Sequence, residues 1–110
     1  MEKNDSALLS KAFLNAGKLM GLTSSELSRV ISCDISQLNT INPESDEGLR
    51  ATYFIRSYEK LYGLLSGDKE EIKMWMKGYN SGTGGIPLQQ IQEQDISGLT
   101  QVLKYLEAMP

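Results

Sequence analysis

Apolar residues recur along most of this chain at steps of three and four, which is the period of an amphipathic α-helix. The stripe is clearest over four segments: 7–20, 49–66, 69–77 and 96–109. No segment sustains the two-residue alternation of a half-buried strand. The pattern predicts an all-α fold of about seven short helices, which must share one nearly continuous core to be stable.

Capping residues predict where the first helices begin and end. Gly21 is suited to end the first helix, because glycine adopts the left-handed conformation at low cost. Thr23 followed by Glu26 has the spacing of a capping box and predicts the start of a second helix. Asp34 and Gln37 have the same spacing and predict a third helix.

The second half of the chain has further start signals. Asp68 is expected to cap the fifth helix, Pro87 fits the first position of a short sixth helix, and Asp95 is expected to cap the last one. Between the third and fourth helices, the loop-forming sequence NPESDEG separates a block of residues 1–48 from a block of residues 49–110. We therefore predict two packed helical blocks.

Composition limits the classes of function. The 110 residues are 40% hydrophobic and 23% charged, as in a soluble globular domain, and the net charge of −3 disfavours non-specific binding to nucleic acid or membrane. With no histidine and one cysteine, Cys33, we expect no catalytic residue, no metal site and no cofactor. No apolar run reaches the roughly 20 residues of a membrane span. Since the start MEKNDSALLS also lacks signal-peptide character, we expect a cytoplasmic protein.

The second and third helices have the spacing of a helix-turn-helix, in which the second helix of the pair enters the major groove of DNA. The stretch LTSSELSRVISCDISQLNTI resembles the Xre-type repressor motif, although Ser32 stands where a glycine usually makes the turn. Glutamine and asparagine can read adenine through paired hydrogen bonds. The candidate DNA-binding residues are Ser36, Gln37, Asn39, Thr40 and Arg29.

Charge argues in the other direction. The predicted recognition helix contains no lysine or arginine, and residues 1–60 hold seven basic against eight acidic residues. Neutralising phosphates would favour a positive balance. Three helices in this arrangement also form a plain packing unit, so sequence-specific DNA binding and a purely structural role both stay open.

The only tryptophan precedes a glycine-rich run, MWMKGYNSGTGGIPLQQI. A P-loop requires a lysine and a hydroxyl residue directly after the glycines, and a dinucleotide site requires a preceding strand; neither is present. The apolar flanks instead predict a connector that reverses the chain beside the core. Trp75 is expected in the core, Gly84 and Pro87 are expected to shape the connector, and changes at positions 80–83 are expected to spare folding.

The segment GLLSGDKEEIKMWMKGYNSGTGGIPLQQIQEQDISGLTQVLKYLEAM resembles the toxin-binding domain of the Xre/MbcA/ParS antitoxin family. The shared features are a Gly-Asp turn at 67–68, a Trp-Met pair at 75–76, a Gly-x-x-Pro connector at 84–87 and a last helix rich in valine and leucine. Residues 79–83 depart from the family, since they are polar and glycine-rich where it often has an apolar residue. The family also carries an amino-terminal helix-turn-helix, so the resemblance extends over nearly the whole chain.

The resemblance implies an antitoxin that is not itself an enzyme. It implies a partner toxin of the RES type, an NAD-degrading enzyme whose active-site entrance the antitoxin covers, and in many members repression of the antitoxin's own operon. The candidate toxin contacts are Asn80, Ser81, Thr83, Gln89, Gln92, Glu93, Lys104 and Glu107.

Two further expectations concern partners. A homodimer is expected from the two-fold symmetry of helix-turn-helix operators and from the tyrosines of the fourth helix. Two other classes of function stay open beside the antitoxin: a stand-alone helix-turn-helix transcription regulator, and an adaptor that does not bind DNA.

Overall fold

The computed structural model describes residues 3–93 and 95–109. Over these residues the chain forms six α-helices and one 3₁₀ turn. The helices are α1 Lys3–Leu19, α2 Ser24–Ile31, α3 Asp46–Leu64, α4 Lys69–Lys77, α5 Pro87–Gln90 and α6 Ser97–Glu107, and the 3₁₀ turn is Ile35–Gln37. The predicted all-α fold of about seven helical segments is confirmed. None of the described helices has the length and apolar character needed to cross a membrane.

The first two helices have the ends that their capping residues predict. Gly21 closes α1 with a φ of +82°, and the backbone amide of Leu22 donates to the carbonyl of Gly17 at 2.9 Å. In α2, Thr23 Oγ1 accepts from the amide of Glu26 at 3.2 Å, while Glu26 Oε1 accepts from the amide of Thr23 at 2.8 Å. This is the predicted capping box.

Capping also sets the later helices. Asp68 caps α4 by accepting from two backbone amides of its first turn, and Pro87 is at the start of α5, as predicted. The backbone of Ile96 is already helical, so Asp95 stands one position before the assigned cap of α6. Its carboxylate nevertheless accepts from the amide of Ser97 at 2.9 Å, which satisfies one of the unpaired amides at the helix start.

The predicted third α-helix is wrong. The chain makes only the 3₁₀ turn, and Asp34 makes no side-chain capping hydrogen bond. Serine, asparagine and threonine are weak helix formers because their side chains can bond the nearby backbone, and Thr40 Oγ1 donates to the carbonyl of Gln37 at 3.4 Å. The segment predicted as a recognition helix is therefore a short turn.

Two serines of α1 hold the chain that follows this turn. Ser6 Oγ donates to the carbonyl of Ile41 at 2.8 Å, and the amide of Ile41 donates to Ser10 Oγ at 2.9 Å. Both backbone polar groups of Ile41 are thereby paired inside the protein. Helix α1 thus anchors the chain directly after the DNA-binding candidates at 36–40.

Helix α3 lies at the centre of the fold and packs against α1, α2 and α6. The rings of Phe13 and Phe54 meet edge to face, with centroids 5.2 Å apart and planes at 65°. One cluster of buried side chains joins both halves of the chain, which confirms the expected continuous core. It includes Phe13, Met20, Ile31, Phe54, Leu61, Ile72, Met76, Ile91, Leu99, Val102 and Leu106.

Candidate functional site

The glycine-rich connector between α4 and α5 is a closed, hydrogen-bonded loop. Asn80 and Gly85 form an antiparallel bridge, in which the amide of Asn80 donates to the carbonyl of Gly85 at 2.8 Å. The side-chain oxygen of Asn80 accepts from the amides of Gly82 at 2.7 Å and Thr83 at 3.2 Å. We call residues 80–85 the connector loop. Its shape is set by its own hydrogen bonds, although its composition is that of a flexible segment.

Thr83 lies inside the connector loop and has no exposed surface (0%). Its hydroxyl donates to the carbonyl of Asn80 at 3.3 Å. Its carbonyl accepts from the side-chain amides of Gln90 in α5 at 2.6 Å and Gln101 in α6 at 2.9 Å. The prediction of Thr83 as a surface contact is therefore corrected: its side chain supports the loop from within. Because Thr83 is buried, we expect changes at this residue to disturb the loop, unlike changes at the exposed Ser81.

The three residues predicted to be structural are in different environments. Trp75 is half-buried and packs against the core cluster. Pro87 is buried at the start of α5. Gly84 has a φ of +80°, a conformation that strains other residues, so the connector loop requires a glycine there.

The other predicted toxin contacts differ in how free their side chains are. Gln92 is half-buried, and its amide donates to the carbonyl of Leu88 at 2.9 Å. Glu107 forms an ion pair with Arg56 of α3. The exposed candidates are Ser81, Gln89, Glu93, Lys104 and Glu107.

Two exposed apolar side chains next to the connector loop were not predicted. Met74 is 71% exposed and Tyr79 is 73% exposed. In α4 the buried residues Ile72 and Met76 define the inner face, and Met74 lies midway between them on the outer face. A methionine at a polar-face position was the available sequence signal. Contiguous exposed apolar surface often marks a protein contact, and these two residues stand close together in the sequence.

The five DNA-binding candidates are all exposed: Arg29, Ser36, Gln37, Asn39 and Thr40. A groove of about 600 Å³ lies between the end of α2 and the 3₁₀ turn, and its lining includes Arg29, Gln37 and Gln92. The structure thus brings a predicted toxin contact beside two predicted DNA contacts. These two predicted sites are neighbours.

Comparison with known proteins assigns the carboxyl-terminal part of the chain. Residues 60–109 match the family model of the antitoxin Xre/MbcA/ParS C-terminal toxin-binding domain. The match covers the end of α3, the connector loop and all of α4, α5 and α6. It indicates a toxin-binding antitoxin domain of a toxin–antitoxin system. No curated protein matches the chain significantly.

Proposed function

We propose that this protein binds and occludes the active site of a cognate RES-type, NAD-degrading toxin in a type II toxin–antitoxin system. The observation that carries the proposal is the match of residues 60–109 to a toxin-binding domain. The RES type of the toxin comes from the resemblance of the sequence to its family. The polar character of the 79–83 segment is where that resemblance is weakest.

The proposed contact surface is centred on Met74, Tyr79 and Ser81, at the end of α4 and the tip of the connector loop. Large apolar side chains in the middle of an interface carry most of the binding energy, and polar residues around them exclude water. The exposed residues Gln89 and Glu93 would form such a rim. Acidic rim residues would raise the association rate with a basic active-site entrance more than they raise the final affinity.

One experiment tests occlusion directly. The chain is expressed with the product of the adjacent gene, the complex is purified, and NAD consumption by that product is measured with and without the chain. We expect a stable complex and an NAD level that recovers as the chain is added. An adjacent product that consumes NAD equally fast when the chain is in excess would contradict the proposal.

We propose in addition that the amino-terminal half represses the operon through Arg29 and the exposed polar residues around the 3₁₀ turn. The exposure of all five candidates favours this role. The 3₁₀ turn Ile35–Gln37 is too short to present the face of a recognition helix, which favours the adaptor alternative. Electrophoretic mobility shifts on the chain's own promoter over a salt series separate the two, because phosphate contacts lose affinity steeply with salt. A stand-alone regulator would shift that promoter without any partner protein.

We also propose that the protein forms a homodimer through a groove of about 430 Å³ between α1, α3 and α4. Leu19, Tyr58, Tyr62 and Ile72 line the groove, and Glu59 and Lys69 stand at its rim. Tyr62 is 50% exposed, and within the described residues neither Glu59 nor Lys69 has an ion-pair partner. In a two-fold interface, each copy would offer Glu59 to Lys69 of the other copy. This complementarity favours a second copy as the occupant of the groove.

A further inference from the structure

Two glutamines from different helices converge on one backbone carbonyl of the connector loop. The side-chain amides of Gln90 and Gln101 donate to the carbonyl of Thr83 at 2.6 and 2.9 Å. A carbonyl oxygen has two lone pairs, so both acceptor positions of Thr83 are used. The connector loop is thereby tied to α5 and to α6 at its buried centre.

The other hydrogen bonds that determine the shape of the connector loop are formed between residues of the loop itself. Asn80 accepts from the amides of Gly82 and Thr83 through its side chain and pairs with Gly85 through its backbone. Bonds of that kind give the loop its shape, but they do not set its position relative to the helices. The two glutamine bonds are the side-chain hydrogen bonds that tie the loop to α5 and α6.

The packing around the glutamines indicates that their donor groups matter. The side-chain oxygen of Gln90 is buried without a hydrogen-bond partner among the described residues. An unpaired buried acceptor is unfavourable, and an apolar residue in its place would avoid the cost. Gln101 is exposed, so its side chain contributes little to the core. The bond that each makes to Thr83 is the interaction that requires an amide at these two positions.

We propose that Gln90 and Gln101 are positioning residues for toxin binding: they hold the connector loop in its bound shape before the toxin arrives. This inference rests on the proposed function. A loop that must be ordered on binding lowers the affinity, because the lost conformational freedom opposes association. A preformed loop avoids that loss. Ser81 and Tyr79 would then contact the toxin from positions that are already set before binding.

The test compares three proteins: the unchanged chain, the single variant Gln101→Leu, and a double variant that carries both Gln90→Leu and Gln101→Leu. Thr52→Val serves as the matched control, because it removes a side-chain bond to a backbone carbonyl, Thr52 Oγ1 to Gly48 at 2.9 Å, within α3. The hydrogen-exchange rates of the loop amides measure how ordered the loop is. The association and dissociation rates with the adjacent gene's product measure binding. Gln101→Lys retains a donor and is the rescue variant.

We expect exchange of the loop amides to rise about fivefold in Gln101→Leu and more in the double variant, since one hydrogen bond of ordinary strength is lost at each step. Affinity of the double variant should fall on the order of tenfold, with the thermal midpoint of the helices unchanged and with recovery in Gln101→Lys. Faster exchange with unchanged affinity would overturn the positioning role alone. Unchanged exchange would overturn it as well. If the unchanged chain does not bind the adjacent gene's product, that result contradicts the proposed function itself, and with it the inference that rests on that function.

Discussion

The ring of Tyr105 in α6 lies directly against Gly82 at the tip of the connector loop. A Cβ atom on Gly82 would stand 2.1 Å from Cε1 of that ring, far inside van der Waals contact. The absence of a side chain at this glycine is therefore what lets the loop tip lie against α6. The contact joins α6 to the loop tip, which is part of the proposed contact surface.

Gly82→Ala should displace either the ring or the loop tip. Forcing a methyl group into a filled space costs about 1–3 kcal/mol, which calorimetry would show as a lower thermal midpoint. Gly63→Ala is the matched control, because a Cβ at that helical position meets no atom within 4 Å apart from the nearby backbone of its own helix. There we expect a gain of about 0.5–1 kcal/mol, since alanine favours a helix. Equal thermal midpoints of the two variants would contradict this prediction, since they would show that the loop tip can move away from the ring without a loss of stability.

Met74→Ala and Tyr79→Ala should weaken toxin binding without unfolding the protein. Their side chains are 71% and 73% exposed, so truncation removes little core contact. If they anchor the interface, each should raise the dissociation constant on the order of tenfold or more, measured by calorimetric titration with the adjacent gene's product. Leu8→Ala is the control: Leu8 is 66% exposed in α1, outside the matched residues. An affinity loss as large at Leu8 would contradict the assignment of the surface.

Ser32→Gly should stabilise the protein. Ser32 follows α2 in the left-handed conformation, with φ of 56° and ψ of 49°. A side chain in that conformation is disfavoured by roughly 1 kcal/mol, and glycine is the usual residue there. Chemical denaturation should show a gain of up to about 1 kcal/mol. Ser25→Gly, the same change inside α2, should give a loss of about half that size or more.

Charge reversal tests the proposed dimer groove. Lys69→Glu and Glu59→Lys should each weaken self-association by placing like charges together, and the double variant should restore it. Lys69 is the first residue of α4, where an acidic side chain is favourable, so loss of the dimer in Lys69→Glu would not reflect a weaker helix. Lys60→Glu is the control. Sedimentation of the unchanged chain as a monomer at high micromolar concentration, or a double variant that fails to recover, would contradict the groove assignment.

The thiol of Cys33 should react slowly with alkylating reagents at neutral pH. Burial raises its pKa above the ordinary value, and the negative charges of Glu47 and Asp34 raise it further. Because the thiolate is the reactive form, alkylation should lag behind that of free cysteine and rise only at higher pH. Glu47→Gln removes one negative charge and should shift the pH profile of alkylation downward. Since burial is the main cause, the shift should be partial; a profile at or below that of free cysteine before mutation would refute the assignment.

The parts of the fold that the sequence predicted correctly depend on local signals. The capping pair of Thr23 and Glu26 involves residues three apart, and Pro87 acts on its own backbone. The third helix failed because Asp34 carries a cap signal while the residues after it favour side-chain to backbone bonds over helix. Competing local preferences of this kind are hard to rank from sequence alone.

The candidate site was predictable only in outline. The glycine run and Trp75 indicated the connector, yet the carbonyl of Thr83 is bonded by Gln90 and Gln101, which lie 7 and 18 positions away. Polar residues at such separations leave no periodic trace in a sequence. Met74 was detectable as an apolar residue on a polar face.

The unbroken course of α3 limits how this chain can be recombined with other proteins that carry the matched domain. The matched region begins at Lys60, inside a helix that runs from Asp46 to Leu64 and holds Phe54 against Phe13. A crossover at that point joins two sequences within one helix, and an insertion of a single residue there turns every later side chain by about 100°. Exchange of toxin specificity between such proteins must therefore preserve the helical phase of α3.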